Sequence, residues 1–300
     1  MVVTSSLPPR ALPEPRALLA LLKPITWFPP IWAFACGAVS SGAPLAGQAD
    51  RLLLGLLLAG PLVCGMSQAA NDWCDRHVDA INEPGRPIPS GRVPGRWGLW
   101  VALLMTGLAL GWGALLGPWG FVATVAAVLA AWAYSAEPVR LKRSGWWGPG
   151  LVGLSYETLP WLTGAAVLAA GAPPLPVLLV ALLYGLGAHG IMTLNDFKAL
   201  RGDRATGVAS LPLRLGPERA ARLACLVMGA AQVAVAGLLL LWDRPWHALA
   251  VLALLLLQIR AMRVLLSDPE GRAPWFNGAA VSLYALGMMA AALGLRGLGA

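Results

Sequence analysis

Three stretches of this chain, residues 52–70, 101–116 and 248–257, contain no charged side chain at all. Runs of that kind leave few folds open. Hydrophobic residues make up 58% of the sequence and charged residues 12%, about half the charged fraction of a soluble domain. The apolar segments also run unbroken, where a soluble core would alternate them with polar faces. In hydrocarbon every backbone N–H and C=O must be paired within the chain, so the expected fold is an all-α integral membrane bundle. Breaks at Pro, Gly and charge clusters give about nine spans of roughly 20 residues each. They fall near 25–42, 52–71, 97–116, 119–137, 148–170, 174–194, 220–241, 244–262 and 275–295. Residues 1–22 then read as an N-terminal cytoplasmic arm and 23–300 as a single transmembrane domain.

A net charge of +8 could suggest nucleic acid, but the basic residues follow a topology instead. With the N-terminus in the cytoplasm, 19 of the 22 Lys and Arg fall on one side, and only Arg51, Arg244 and Arg296 on the other. Such an asymmetry sets orientation by the positive-inside rule. No nucleic-acid partner is expected, and the bilayer is. The Pro- and Arg-rich arm from Met1 to Leu22 lacks the apolar stretch of a signal peptide. Cys36, Cys64, Cys74 and Cys225 show no CxxC spacing, which suggests neither a disulfide framework nor a zinc site.

Against this background two acidic clusters stand out, Asn71-Asp72 through Asp79 and Asn195-Asp196 through Asp203, both with the pattern N-D-x6-D. The whole chain has only 14 Asp and Glu, and carboxylates at a membrane edge are functional by default. Were the second span helical through the first cluster, Asn71, Asp75 and Asp79 would lie within about 80° of one face at 3.6 residues per turn. Carboxylates so close need a cation between them. Hard oxygen ligands at an open site suit Mg²⁺, which takes one or two carboxylates and keeps positions for phosphate oxygens. The candidate metal ligands are Asn71, Asp72, Asp75, Asp79, Asn195, Asp196 and Asp203. Both clusters sit on the cytoplasmic side of this topology, so they can oppose each other across a cavity. Opposed acidic motifs fit a diphosphate substrate whose charge metal and basic side chains neutralise. Lys23, Arg76, Lys142, Arg143, Lys198 and Arg204 are the basic candidates.

The first cluster is similar to the N-x3-D-x3-D signature of the UbiA superfamily of intramembrane prenyltransferases, with Asn71, Asp72, Asp75 and Asp79 matching. Tyr134-Ser135-Ala136-Glu137-Pro138, Ser155-Tyr156-Glu157-Thr158-Leu159-Pro160-Trp161, Asn195-Asp196-Phe197-Lys198 with Gly202-Asp203-Arg204, and Ser210-Leu211-Pro212 resemble its chlorophyll and bacteriochlorophyll synthase branch. The resemblance implies a nine-helix bundle around a central cavity open sideways to lipid. It implies Mg²⁺-dependent transfer of a geranylgeranyl or phytyl group from its diphosphate to the 17-propionate carboxylate of a (bacterio)chlorophyllide. The bacterial composition favours bacteriochlorophyllide a and an inner, photosynthetic membrane, with pigment-biosynthesis or pigment-insertion proteins as neighbours.

On this reading the catalytic set is Asp72, Asp75, Asp79, Asp196, Tyr134 and Lys142, and the diphosphate set is Asn71, Arg76, Asn195, Lys198, Arg204 and Lys23. Glu157, Tyr156 and His189 are candidate acceptor contacts. The second cluster departs from the pattern. Ala199 stands where the first has Asp75, and Arg201 stands where the branch carries Glu, leaving Arg201 to pair with diphosphate, Glu218 or Asp203. Rival readings are chlorophyll synthase, a relative with an aromatic or haem acceptor, and a divalent-cation transporter. The last would carry its carboxylates near the bilayer midplane on broken helices, unlike these.

Overall fold

The computed structural model describes residues 12–298, so Arg10 and the first half of the arm lie outside the described residues. So does the side chain of Arg201, and with it the pairing expected of that residue. The described chain is helical. We number the main helices α1 (Pro15–Leu22), α2 (Phe28–Ser40), α3 (Ala49–Asn82), α4 (Trp97–Leu115), α5 (Gly117–Ser135), α6 (147–169), α7 (Leu175–Asn195), α8 (Pro217–Leu241), α9 (Pro245–Ser267) and α10 (Pro269–Leu295). Seven of them are long and apolar enough to cross a membrane, and an eighth span results if α1 and α2, bent by 52° at the break between them, count as one. The continuous helical stretch α6 occupies the remaining expected span. This is a multi-pass membrane protein, and the expected count of about nine agrees with it.

Two features were not foreseen. The second half of the arm is a helix, α1, whose Ala17 and Leu21 are fully buried against Ala69 and Ala70 of α3. Secondly, α3, α6 and α10 each contain a π-helical turn, at Leu58–Cys64, Leu154–Thr158 and Phe276–Ala280. Pro61, which has no N–H to give, lies inside the first of these. A π-turn inserts one residue and so re-aims the side chains around it.

Because lipid is as apolar as the helices, packing in the bundle relies on close backbone approach and on polar pairs. Between α2 and α6 the approach is reciprocal. A Cβ on Gly37 would strike the Trp161 carbonyl, and one on Gly164 would strike the Phe34 carbonyl. The indole of Trp161 donates to Ser40 Oγ at 3.0 Å in the same interface. Further along, Gln232 of α8 donates to Gln258 of α9 at 3.0 Å, with both side chains fully buried. Tyr284 of α10 donates to the Tyr184 carbonyl of α7 at 2.7 Å and meets the Tyr184 ring edge-on at 5.1 Å between centroids.

The α2–α6 crossing is directly testable. Gly37→Val should destabilise the detergent-solubilised protein by about 1–3 kcal/mol, the usual cost of overpacking, read as a lower midpoint in thermal unfolding. Gly229→Ala, mid-helix at a position with open space around it, should not lower the midpoint, since Ala is the better helix former by about 0.5–1 kcal/mol.

Candidate active site

The helix α3 is 34 residues long, about 51 Å at 1.5 Å per residue against roughly 30 Å of hydrocarbon. Its last turns therefore stand clear of the apolar layer, and they carry the whole first cluster. As expected, the helix continues through the cluster to Asn82. The carboxylates do not converge on one point, however. Asp72 is 1% exposed and accepts from Lys23 Nζ at 2.6 Å and Arg86 Nη1 at 3.3 Å. The same Arg86 nitrogen donates to Asp79 at 2.8 Å, and the rest of its guanidinium grips Glu83 at 2.6 and 2.8 Å. Asp75 instead turns to Arg140, at 2.9 Å, and to Lys142. At 100° per residue the cluster fans across the helix, and two sets of basic groups from different segments draw the fan apart.

Lys23 reaches Asp72 because it caps α1 in the left-handed conformation, at φ 46°. Arg140 also has positive φ, 38°, in the turn between α5 and α6. Neither residue type favours that region, and each is held there while its side chain is bonded to a cluster carboxylate. Burial pulls the Lys142 ammonium below its usual range, with Asp75 opposing. Arg86 holds the Glu83 carboxyl below the ordinary carboxylate range.

The second cluster is built differently despite its matching spacing. After α7 ends at Asn195, a 3₁₀ turn covers Asp196–Ala199 and a short helix Leu200–Thr206 follows. Phe197 points into the core, 6% exposed, and pins the turn. Among the described residues no ion pair neutralises Asp196; the charges that bear on it are Asp203 and Lys198. Burial pushes the Asp203 carboxyl up. Gly202 lets this segment approach α3, since a Cβ there would come 2.5 Å from Asn82 Nδ2. Between the two clusters stands Tyr134, at the end of α5, within electrostatic reach of Asp196, Asp75 and Asp203.

These segments form the polar end of a cavity of about 940 Å³. Asp72, Asp75, Asp79, Asp196, Asp203 and Lys142 are not among the lining residues; Lys23, Asn71, Arg86, Tyr134, Asn195 and Lys198 line that end. Beyond them the walls are mostly apolar, and each of the three π-turns contributes residues: Ala59 and Cys64, Ser155 and Tyr156, Asn277 and Gly278. Tyr156 accepts from Gln68 Nε2 at 2.9 Å, and Asn71 donates to Ser135 Oγ at 3.4 Å.

Several expected site residues lie elsewhere. Arg76 folds back over its own helix, its guanidinium 4.1 Å from the Trp73 ring and bonded to the Trp73 carbonyl at 2.8 Å. Residues three apart on a helix are neighbours, and stacking on an indole takes this charge away from the cavity. Arg204 is exposed and Arg143 pairs with Glu137 at 2.8 Å, and neither lines the cavity. Of the acceptor candidates only Tyr156 does. Glu157 is 8% exposed and lies near Cys36 and Tyr284, on the other side of its π-turn. His189 packs against the Trp146 ring, at 5.6 Å, and against Thr193. Sequence reasoning counted Arg86 only as a cytoplasmic charge, yet it ties Asp72, Asp79 and Glu83 together. Its position three residues after Glu83 in a Pro-rich loop was the available signal.

Among the described residues no three carboxylate, His or Cys side chains converge closely enough to hold a metal ion by themselves. The oxygen donors nevertheless suit a hard divalent ion, which needs only one or two carboxylates when a diphosphate supplies the remaining ligands. Asp72 keeps one buried oxygen, Oδ2, without any hydrogen-bond partner, an unmet acceptor of the kind such an ion would satisfy.

Comparison with known proteins agrees with this architecture. The chain is 68% identical over 298 residues, 99% of both chains, to the bacteriochlorophyll synthase 33 kDa chain of Cereibacter sphaeroides. It is 38% identical over 285 residues, 92% of this chain and 73% of the relative, to the chloroplastic chlorophyll synthase of Arabidopsis thaliana. The fold matches a UbiA homolog from Archaeoglobus fulgidus bound to GPP and Mg²⁺ with a TM-score of 0.73, at 20% identity over 92% of this chain and 99% of that one. The sequence profile of the UbiA prenyltransferase family covers residues 22–293, and the chain belongs to that family.

Proposed function

We propose that this enzyme transfers a geranylgeranyl or phytyl group from its diphosphate to the 17-propionate carboxylate of bacteriochlorophyllide a, releasing diphosphate. The observation that carries the reading is the gathering of Lys23, Asn71, Arg86, Tyr134, Asn195 and Lys198 at one end of an otherwise mostly apolar cavity, with the cluster carboxylate Asp72 bonded to Lys23 and Arg86 behind that lining. A prenyl diphosphate has the matching polarity, a highly charged head on a hydrocarbon chain. The choice of a bacteriochlorin acceptor is supported by the 68% identity to the Cereibacter protein, against 38% to the plant chlorophyll synthase.

In this reading the diphosphate sits among Lys23, Arg86, Lys198, Asn71 and Asn195, and the chain runs into the cavity. Asp72, Asp75 and Asp79 on one side and Asp196 with Asp203 on the other would hold Mg²⁺ against the diphosphate oxygens. That metal supplies neutralising charge as the carbon–oxygen bond breaks. Lys23 and Arg86, now bonded to Asp72, then exchange part of that pairing for phosphate, and their charge-assisted bonds follow the charge on the leaving group. In this reading the allylic cation forms beside Tyr134, which lines the cavity, and aromatic faces attract cations. The acceptor carboxylate is ionised at neutral pH and needs no general base, only placement beside that cation. The apolar walls keep out water that would otherwise capture it. The positive-inside bias supports the cytoplasmic face for this chemistry, and the likeness to the Cereibacter protein supports a bacterial photosynthetic membrane.

Membranes containing the protein should esterify bacteriochlorophyllide a when supplied with geranylgeranyl diphosphate and Mg²⁺, and use chlorophyllide a less well. Chelation with EDTA should stop the reaction and added Mg²⁺ restore it. Product from an aromatic acceptor and from neither chlorin would overturn the acceptor; full activity in EDTA would overturn the metal. Asp72→Asn and Asp196→Asn should each lower kcat by roughly 100-fold or more, the scale on which loss of one charge-stabilising group acts, while the purified proteins elute as wild type does. Arg86→Gln, which frees two cluster carboxylates at once, should raise KM for the prenyl diphosphate, whereas Arg76→Gln should leave it unchanged.

A further inference from the structure

The π-turn of α6 packs against α2 and α7, and from it the Tyr156 side chain reaches across to α3. Its phenol oxygen accepts from Gln68 Nε2 at 2.9 Å and from Cys64 Sγ at 3.3 Å, and all three residues line the cavity. With both lone pairs of the oxygen occupied, one direction is left for its own O–H. Among the described residues no acceptor takes that proton. Four other hydroxyls of the lining, those of Thr26, Ser67, Thr124 and Thr163, are spent on backbone carbonyls at 2.7 to 2.8 Å. Tyr156 is a neutral donor held in place by its neighbours, with its proton still to give.

Gln68 precedes Asn71 by three residues, so the two are neighbours on one side of α3, about 4.5 Å apart along its axis. Asn71 belongs to the charged end and is bonded to Ser135, beside Tyr134. The phenol therefore meets α3 one turn deeper than the groups assigned to the diphosphate, where the lining has passed from charged to neutral. A diphosphate is matched by the cations at the end of the cavity. A single neutral donor one turn below them suits an anion of lower charge.

Resting on the prenyl-transfer reading above, we propose that Tyr156, oriented by Gln68, binds the acceptor's carboxylate and presents it to the allylic carbon. The phenol donates to one carboxylate oxygen and leaves the other free to attack. That oxygen forms the new bond to C1 of the prenyl group, the bond from C1 to the diphosphate oxygen breaks, and its electron pair leaves with the diphosphate. No proton changes hands. The hydrogen bond also favours the ionised form of the carboxylate against the cost of leaving water. Tyr156 is thus an acceptor-binding residue and Gln68 a positioning residue behind it.

The test compares purified wild type, Tyr156→Phe and Gln68→Leu. Affinities for bacteriochlorophyllide a and for its propionate methyl ester are read from quenching of tryptophan fluorescence, and affinity for the donor from displacement of tritiated geranylgeranyl diphosphate. Tyr156→Phe should move the acid-to-ester affinity ratio toward the ester by roughly tenfold or more, the margin by which a hydrogen bond to a charged group outweighs one to a neutral group. Gln68→Leu should move the ratio the same way and less far, and donor affinity should be unchanged in both. Should Tyr156→Phe fail to fold, the ratio in Gln68→Leu decides alone. An unchanged ratio in the folded variants would overturn the proposal. So would a loss of donor affinity as large as the loss of acid affinity, the mark of general damage to the cavity. Esterification by wild type alongside either result leaves the prenyl-transfer reading standing, whereas a wild type that esterifies no chlorin overturns both.

Discussion

A carboxylate that is 1% exposed at the rim of a membrane has to be neutralised by something, and how Asp72 meets that demand organises one end of the molecule. It draws Lys23 out of the end of α1 in a left-handed turn and holds Arg86 from the loop beyond α3. Those two contacts fasten the amphipathic α1 and the Pro-rich 83–94 segment to α3. Removing one partner from a buried pair typically costs about 3–5 kcal/mol, because the other charge is stranded. The same logic repeats one turn on, where Asp75 fixes the turn that carries Arg140 and Lys142. The polar end is thus assembled by charge pairing, while the remainder of the bundle is assembled by small residues and backbone approach.

The cavity follows from a second device. A regular α-helix with a Leu- and Ala-rich surface would close onto its neighbours, yet three of the helices here carry a π-turn, and all three turns border the cavity. Each inserted residue shifts the helical face by part of a turn. In α6 Tyr156, within the π-turn, lines the cavity and its neighbour Glu157 does not.

How much of this the sequence discloses depends on the range of the interaction that decides it. Spans are legible because an uncharged run of the right length has few alternatives in lipid. The helix under the first cluster is legible, since α3 stays helical through it, but the division of its carboxylates between Arg86 and the Arg140–Lys142 turn depends on distant segments. The second cluster shares the spacing but breaks into a 3₁₀ turn and a short helix, pinned by Phe197, and there spacing does not translate into geometry. Arg76 lies off the cavity because its nearest partner, Trp73, is a helical neighbour that competes with any distant ligand. The importance of Arg86 was hidden for the opposite reason. Its bonds to Asp72 and Asp79 depend on how a loop with four prolines folds back, and nothing in local periodicity encodes that return.

The pairing of cluster carboxylates with the chain's own cations also bears on turnover. A site in which Lys23 and Arg86 had no carboxylate partners would gain charge balance only from what enters it, and would hold a diphosphate more firmly. Here Lys23 and Arg86 have carboxylates within 2.6 to 3.3 Å, so on the proposed function letting go of diphosphate would restore bonds instead of leaving them empty. On the proposed function the resting ion pairs would act as a counterweight, lowering the affinity of Lys23 and Arg86 for diphosphate by the strength of the bonds that it displaces.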